Sequence, residues 1–184
     1  MTRVKGGNRF RKGFLMLLAI ILLLIVVGFL LPSKFHAEKS IEIKSTASKI
    51  FPYLNNVQRW KDWTSLNEEK DFSLEVTYFG PRQGIGSGMI YSGDKLGSGK
   101  IEITDNELDQ RINFSLLINH RISTQGLIRI EPLTNSTSMV TITLDGDVGF
   151  HLANRYIILL MDNIAGVLFK DSLNQLKSIT EAKK

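Results

Sequence analysis

Seven of the chain's fifteen glycines fall in one twenty-residue run, GPRQGIGSGMIYSGDKLGSG, from Gly80 to Gly99. A run this dense raises the question of phosphate binding. Glycine-rich loops hold phosphate when they open a helix whose amino end faces the anion. Here GIGSGM leads into Met89-Ile90-Tyr91, which reads as a strand, and the string GxxxxGK[ST] is absent. The run therefore predicts hairpin corners: a turn at Gly80-Pro81, a strand entry or bulge at Gly84, Gly86 and Gly88, and a second corner at Gly93, Gly97 and Gly99.

Other residues able to do chemistry are dispersed. His36, His120 and His151 are far apart and lack the spacing that puts two ligands on one helical face, and no serine stands in GxSxG. With no cysteine there is neither a thiolate metal site nor a cysteine nucleophile, and the sequence predicts no metal and no cofactor. Asp145 and Asp147 could face a cation but read as solvated turn residues. Asp162, within an apolar helical stripe, is the carboxylate whose burial would raise its pKa and make it an acid. Arg111 and the pair His120-Arg121 lie near strand ends and are minor ligand candidates. No catalytic residue is assigned beyond Asp162.

These residues need elements to hold them, and the first element is apolar. Phe14 to Leu31 is eighteen residues without a charge or a polar side chain. As a helix it would be about 27 Å long, near the thickness of a bilayer's hydrocarbon core. Arg3, Lys5, Arg9, Arg11 and Lys12 precede it; the remaining 18 basic and 18 acidic residues cancel. The net charge of +5 thus belongs to the amino terminus and does not argue for a nucleic-acid partner. A cleaved signal peptide is the rival reading, but the run is long for one and Phe35 would occupy the −3 position of a cut after Ala37. The expected organisation is a basic cytoplasmic tail at 1–13, a transmembrane anchor at 14–32 and a domain at 33–184 on the far side of the membrane.

That domain alternates like an antiparallel sheet. Lys39–Ser45 puts Ile41 and Ile43 on one face, and two short helical turns follow, the first interrupted by Pro52 and the second carrying Trp60 and Trp63. Six strands are predicted within 72–79, 88–93, 99–106, 110–119, 124–132 and 138–146, joined by short polar turns that leave no room for parallel crossovers. A helix from about Leu152 to Thr180 closes the chain, with Ile157, Leu160, Ile164 and Leu168 as its expected inner stripe.

Strand, two short helices, six strands and a long helix is the order of an α+β helix-grip fold. Local strings agree with it: LPS after the span, Ile41-Glu42-Ile43, Trp60-x-x-Trp63, VTYFGP before GIGSGM, GSGKIEIT, LDGDVGF, and MDNIAG with Leu173, Leu176 and Lys177. Over residues 31–180 the chain resembles a membrane-anchored bacterial branch of the START-like (SRPBCC) superfamily, the polyketide cyclase/dehydrase and lipid transport type. Val167 stands where relatives often have proline, and Pro52 is likewise atypical. The resemblance implies a curved sheet gripping the C-terminal helix, with a cavity for a lipid or other hydrophobic small molecule, in a single-pass protein of the bacterial inner membrane. Candidate lining residues are Trp60, Trp63, Met89, Tyr91, Phe114, Leu116, Leu160, Ile164 and Leu168. Periodicity does not separate lining from solid core, because both use the same residues. Two alternatives stand beside the binding protein. One is an envelope protein-interaction module without a ligand. The other is a cyclase- or dehydratase-like enzyme using Asp162 with Tyr91 or His120.

Overall fold

The computed structural model of the protein describes residues 7–182, and side chains at 10–159 and 165–182. An apolar helix, α1 (Gly7–Leu30), is followed after three residues by β1 (Lys34–Ile43). Then come α2 (Ala47–Leu54), a 3-10 helix (Val57–Asp62), β2 (Glu75–Phe79), β3 (Gly88–Gly93), β4 (Gly97–Glu107), β5 (Arg111–Ile118), β6 (Ile122–Thr134), β7 (Thr137–Asp147) and α3 (Leu152–Glu181). The strands form one antiparallel sheet of order β1-β7-β6-β5-β4-β3-β2, and α3 packs chiefly along β1. This is the helix-grip architecture, preceded by one apolar helix.

Register gives the sheet two ends. At one lie the start of β1, the end of β7 and the β3–β4 and β5–β6 turns; this is the end next to α1. At the other lie α2 and the β4–β5 and β6–β7 turns. The inward rows can be read across the strands. Ile112, Ile128 and Ile142 form a row toward the far end. Next comes Ile103–Phe114–Gly126–Leu144–Ala37, then Tyr78–Met89–Ile101–Leu116–Thr124–Gly146–Phe35. Nearest α1 lies Val76–Tyr91–Gly99–Ile118–Ile122.

Three of these register pairs set an aromatic ring over a glycine: Tyr91 over Gly99, Phe114 over Gly126 and Phe35 over Gly146. A Cβ at any of the three glycines would collide with the facing ring. The rings can therefore lie flat along the sheet, and a curved sheet needs such small positions.

Several boundaries differ from expectation, each for a local reason. β1 begins at Lys34 because it pairs along the whole of β7, from Lys34 opposite Asp147 to Ile43 opposite Ser138. Phe72 lies outside β2 and is exposed, because Asp71 and Ser73 bond locally and form a turn before the strand. Pro52 sits inside α2, which ends after eight residues. The buried face of α3 carries Ile158, Ala165, Ser172, Leu173, Leu176 and Thr180, whereas Ile157 and Leu168 are exposed. The glycine run forms a loop and two strand ends, as predicted: Gly80, Gly84 and Gly86 take positive φ, the backbone region that favours glycine.

Candidate functional site

The interior closes unevenly from one end of the sheet to the other. At the far end, α2, the 3-10 helix and the last turns of α3 cover the sheet. There Ile43, Ile50, Leu54, Val57, Ile112 and Val140 have no exposed surface, and Leu176 joins them from α3. Trp60 and Trp63 belong to this closed part. The Trp60 indole N–H donates to the Leu54 carbonyl at 2.8 Å and that of Trp63 to the Tyr53 carbonyl at 3.3 Å. Their ring centroids are 5.6 Å apart, and Trp60 meets Phe114 edge-on at 5.1 Å. Trp60, Trp63, Met89, Tyr91 and Phe114 are all buried within one hydrophobic cluster.

Toward α1 the packing loosens. Leu116, Ile118 and Ile122 face inward yet remain only half-buried, and so does Val76 at the opposite end of the same row. Tyr91 is buried between them, and burial pushes its phenol up, so it stays a neutral hydrogen-bonding group at physiological pH. Val76 also borders a cleft of about 540 Å³ whose lining mixes Leu66, Leu74 and Tyr78 with the charged Lys61, Asp62, Glu68 and Glu69. A smaller hollow of about 290 Å³ adjoins it, sharing Asn67, Glu69 and Gln175 and reaching Trp63. The inner wall of this cleft thus continues into the row nearest α1, since Val76 is the register partner of Tyr91. An 810 Å³ groove at the far end is larger; it lies beside α2 and the β4–β5 and β6–β7 turns and is lined by Ala47, Leu108, Ile130 and Pro132 together with Arg111, Arg129 and Glu131.

The segment that roofs the cleft is latched by Asp71. Its carboxylate accepts from the Ser73 hydroxyl at 2.6 Å, from the Ser73 amide at 3.1 Å, and from the amides of Lys95 and Leu96 at 2.8 and 3.0 Å in the β3–β4 turn. The Ser73 hydroxyl bond and the turn amides hold the Asp71 carboxyl well below the usual carboxylate range. A depressed folded-state pKa stabilises the fold above the unfolded value of about 4, and that contribution fades as pH falls through the folded value. Asp71→Asn should lower the melting temperature by roughly 5 °C at neutral pH. The gap from wild type should narrow below about pH 4. Thermal melts across that range check both points, and a gap independent of pH would contradict the latch.

Other candidate groups are occupied by structural bonds. Arg111 pairs with Asp105 and Glu107, both at 3.2 Å. Asp145 bonds the His36 ring at 2.7 Å, and Asp147 accepts from the Gly149 amide at 2.8 Å. The Gly149 bond and a Ser33 hydroxyl keep the Asp147 carboxyl below its ordinary range. His120 lies in the β5–β6 turn with positive φ, exposed at the rim rather than beside Tyr91. Among the described residues no three His, Asp or Glu side chains gather as metal ligands. The Asp162, Leu160 and Ile164 side chains lie outside the described residues. Leu168 is 42% exposed, which puts it on the solvent flank of α3 rather than between helix and sheet. The candidate wall residues that sequence reading did not single out are Ile118, Ile122 and Val76. Their alternation was visible, but only register aligns them in one row.

No family model matches the chain, and no curated protein sequence matches it. Solved structures do share its fold. An aromatase/cyclase from Streptomyces sp. R1128 aligns with a TM-score of 0.62 at 14% identity, covering 80% of this chain and 94% of that one. A START superfamily protein from Mycobacterium smegmatis aligns at 0.58 and 13% identity, covering 81% and 99%. A hypothetical protein from Helicobacter pylori aligns at 0.60 and 10% identity, covering 79% and 87%. The chain shares the helix-grip fold with these proteins.

Proposed function

We propose that this chain is a membrane-tethered binding protein for a lipid or other hydrophobic small molecule. The ligand is held between the α1 side of the concave sheet face and the first half of α3. The observation that carries this reading is the uneven closure of the interior. A helix-grip domain folded round a solid core would seal its inward rows alike, but Leu116, Ile118, Ile122 and Val76 cluster as half-buried inward positions on the α1 side, whereas at the far end Ile41 is half-buried among the fully covered Ile43, Ile112 and Val140. A concave apolar wall with a few polar groups at its rim is the usual form of a small-molecule site.

The tether is α1, the one described helix long and apolar enough to cross a membrane, with almost none of its surface covered by protein. Five cations ahead of the apolar run that begins at Phe14 favour a cytoplasmic amino terminus, with the 33–184 domain on the outer side of a bacterial inner membrane. Native mass spectrometry of the full chain released from detergent tests the binding. The expected result is one retained lipid mass per chain, displaced by a fluorescent apolar dye. If no lipid is retained and no dye binds, the domain is instead an interaction module with a closed interior.

A further inference from the structure

The contacts between α1 and α3 point to a more specific arrangement than a tether. Gly28 is the buried residue of α1, and the first two turns of α3 pack against it. A Cβ there would come within 2.7 Å of Leu152 Cδ2 and 3.1 Å of Tyr156 Cε2. The notch lets the Tyr156 hydroxyl reach and donate to the Leu24 carbonyl. Arg155 completes the joint. Its Nε donates to the Gly149 carbonyl at 2.9 Å, and its Nη1 donates to the Phe29 and Leu31 carbonyls at 3.0 and 3.1 Å. Those last two are carbonyls that a helix end leaves without partners. Its guanidinium also lies 5.9 Å from the Phe150 ring centroid. The short lead is fixed as well, since the Val148 amide donates to the Ser33 carbonyl at 2.9 Å.

This joint fixes a depth. Leu24 lies about 9 Å along the helix from Leu30, so the Tyr156 hydroxyl reaches well inside the apolar span. In hydrocarbon a phenol has no water to bond, and a backbone carbonyl is the partner it needs. Around the joint, Phe150 is 85% exposed, Ile157 51% and Leu159 55%, continuous with the bare sides of Phe29 and Leu30. The β7–α3 loop and early α3 therefore present the exposed apolar side chains of Phe150, Ile157 and Leu159 beside the end of α1, with Asp147 and His151 the exposed polar groups among them.

We propose that α1 and the start of α3 form one rigid joint that seats Phe150, Ile157 and Leu159 in the outer leaflet, so that the looser half of the concave face opens toward lipid. The occupant of this surface is the bilayer itself, and the inference rests on the reading of α1 as a membrane span.

The native chain has no cysteine, so single labels are clean. Phe150→Cys, Ile157→Cys and, as a control at the far end, Leu133→Cys would each carry a polarity-sensitive fluorophore. The full chain is reconstituted into phosphatidylethanolamine–phosphatidylglycerol vesicles containing spin-labelled lipid. Quenching should be several-fold stronger at 150 and 157 than at 133, and Gly28→Leu or Arg155→Gln should reduce it while the chain still floats with the vesicles. Equal quenching at all three positions in a floating chain overturns the inference alone. Unchanged quenching in both joint variants overturns the role of the joint. A chain that does not float overturns the anchor reading and this inference together.

Discussion

Trp60→Ala is expected to destabilise the domain by about 3–5 kcal/mol, the range for removing a large buried aromatic. Three losses combine. The ring is 3% exposed and fills the junction between the 3-10 helix and β5. Its edge contact with Phe114 and its tilted contact with Trp63 both vanish. The Leu54 carbonyl, which accepts the indole N–H at 2.8 Å, is left in the core without that donor. Urea unfolding followed by circular dichroism measures the cost. A loss near about 1 kcal/mol would show that Trp60 borders a preformed hollow and would return it to the list of lining residues.

Leu116→Trp and Ile118→Trp carry the second large effect, on binding rather than folding. Both side chains point inward from β5 into the half-open rows. An indole placed in open space would occupy the ligand's volume, and affinity for an apolar dye should fall about tenfold or more. In a tightly packed interior the same change would cost roughly 1–3 kcal/mol of stability through overpacking. The two readouts separate the cases. Lost dye binding with a nearly unchanged urea midpoint supports a cavity; a large loss of stability supports a solid core. Dye titration and urea unfolding on the same preparations decide between them.

The fold was legible in the sequence because its strands alternate cleanly. In QRINFSLLIN, Ile112 and Phe114 could only face one way, and they are buried as read. The site was less legible, for physical reasons that particular residues show. Trp60, Trp63, Met89 and Phe114 are apolar inward residues whether they touch each other or a ligand, and the pattern carries no information on the gap between layers. Ile118 and Ile122 became candidate site residues only through register, which sets Gly99, Ile118 and Ile122 in one row. In α3 the run Ile157-Ile158-Leu159-Leu160 is apolar in every direction, so the expected inner stripe through Ile157 was one of several phases the pattern allows. The structure buries Ile158 and leaves its neighbours Ile157 and Leu159 exposed. Gly28 had no signal either, since a notch in a uniformly apolar helix shows only when its partner is in place.

The lead between α1 and β1 is only the stretch Leu31–Ser33, and it is bonded to the end of β7. Fully extended, such a segment spans about 10 Å. With α1 in the bilayer, the domain cannot swing out to cross an aqueous gap and return loaded. Under the proposed function its diffusion would be confined to two dimensions, and a hydrophobic ligand would have to come from the leaflet beneath it or leave with a carrier that arrives there. On the proposed reading it would be a fixed station on a route for hydrophobic molecules, not the vehicle that travels it.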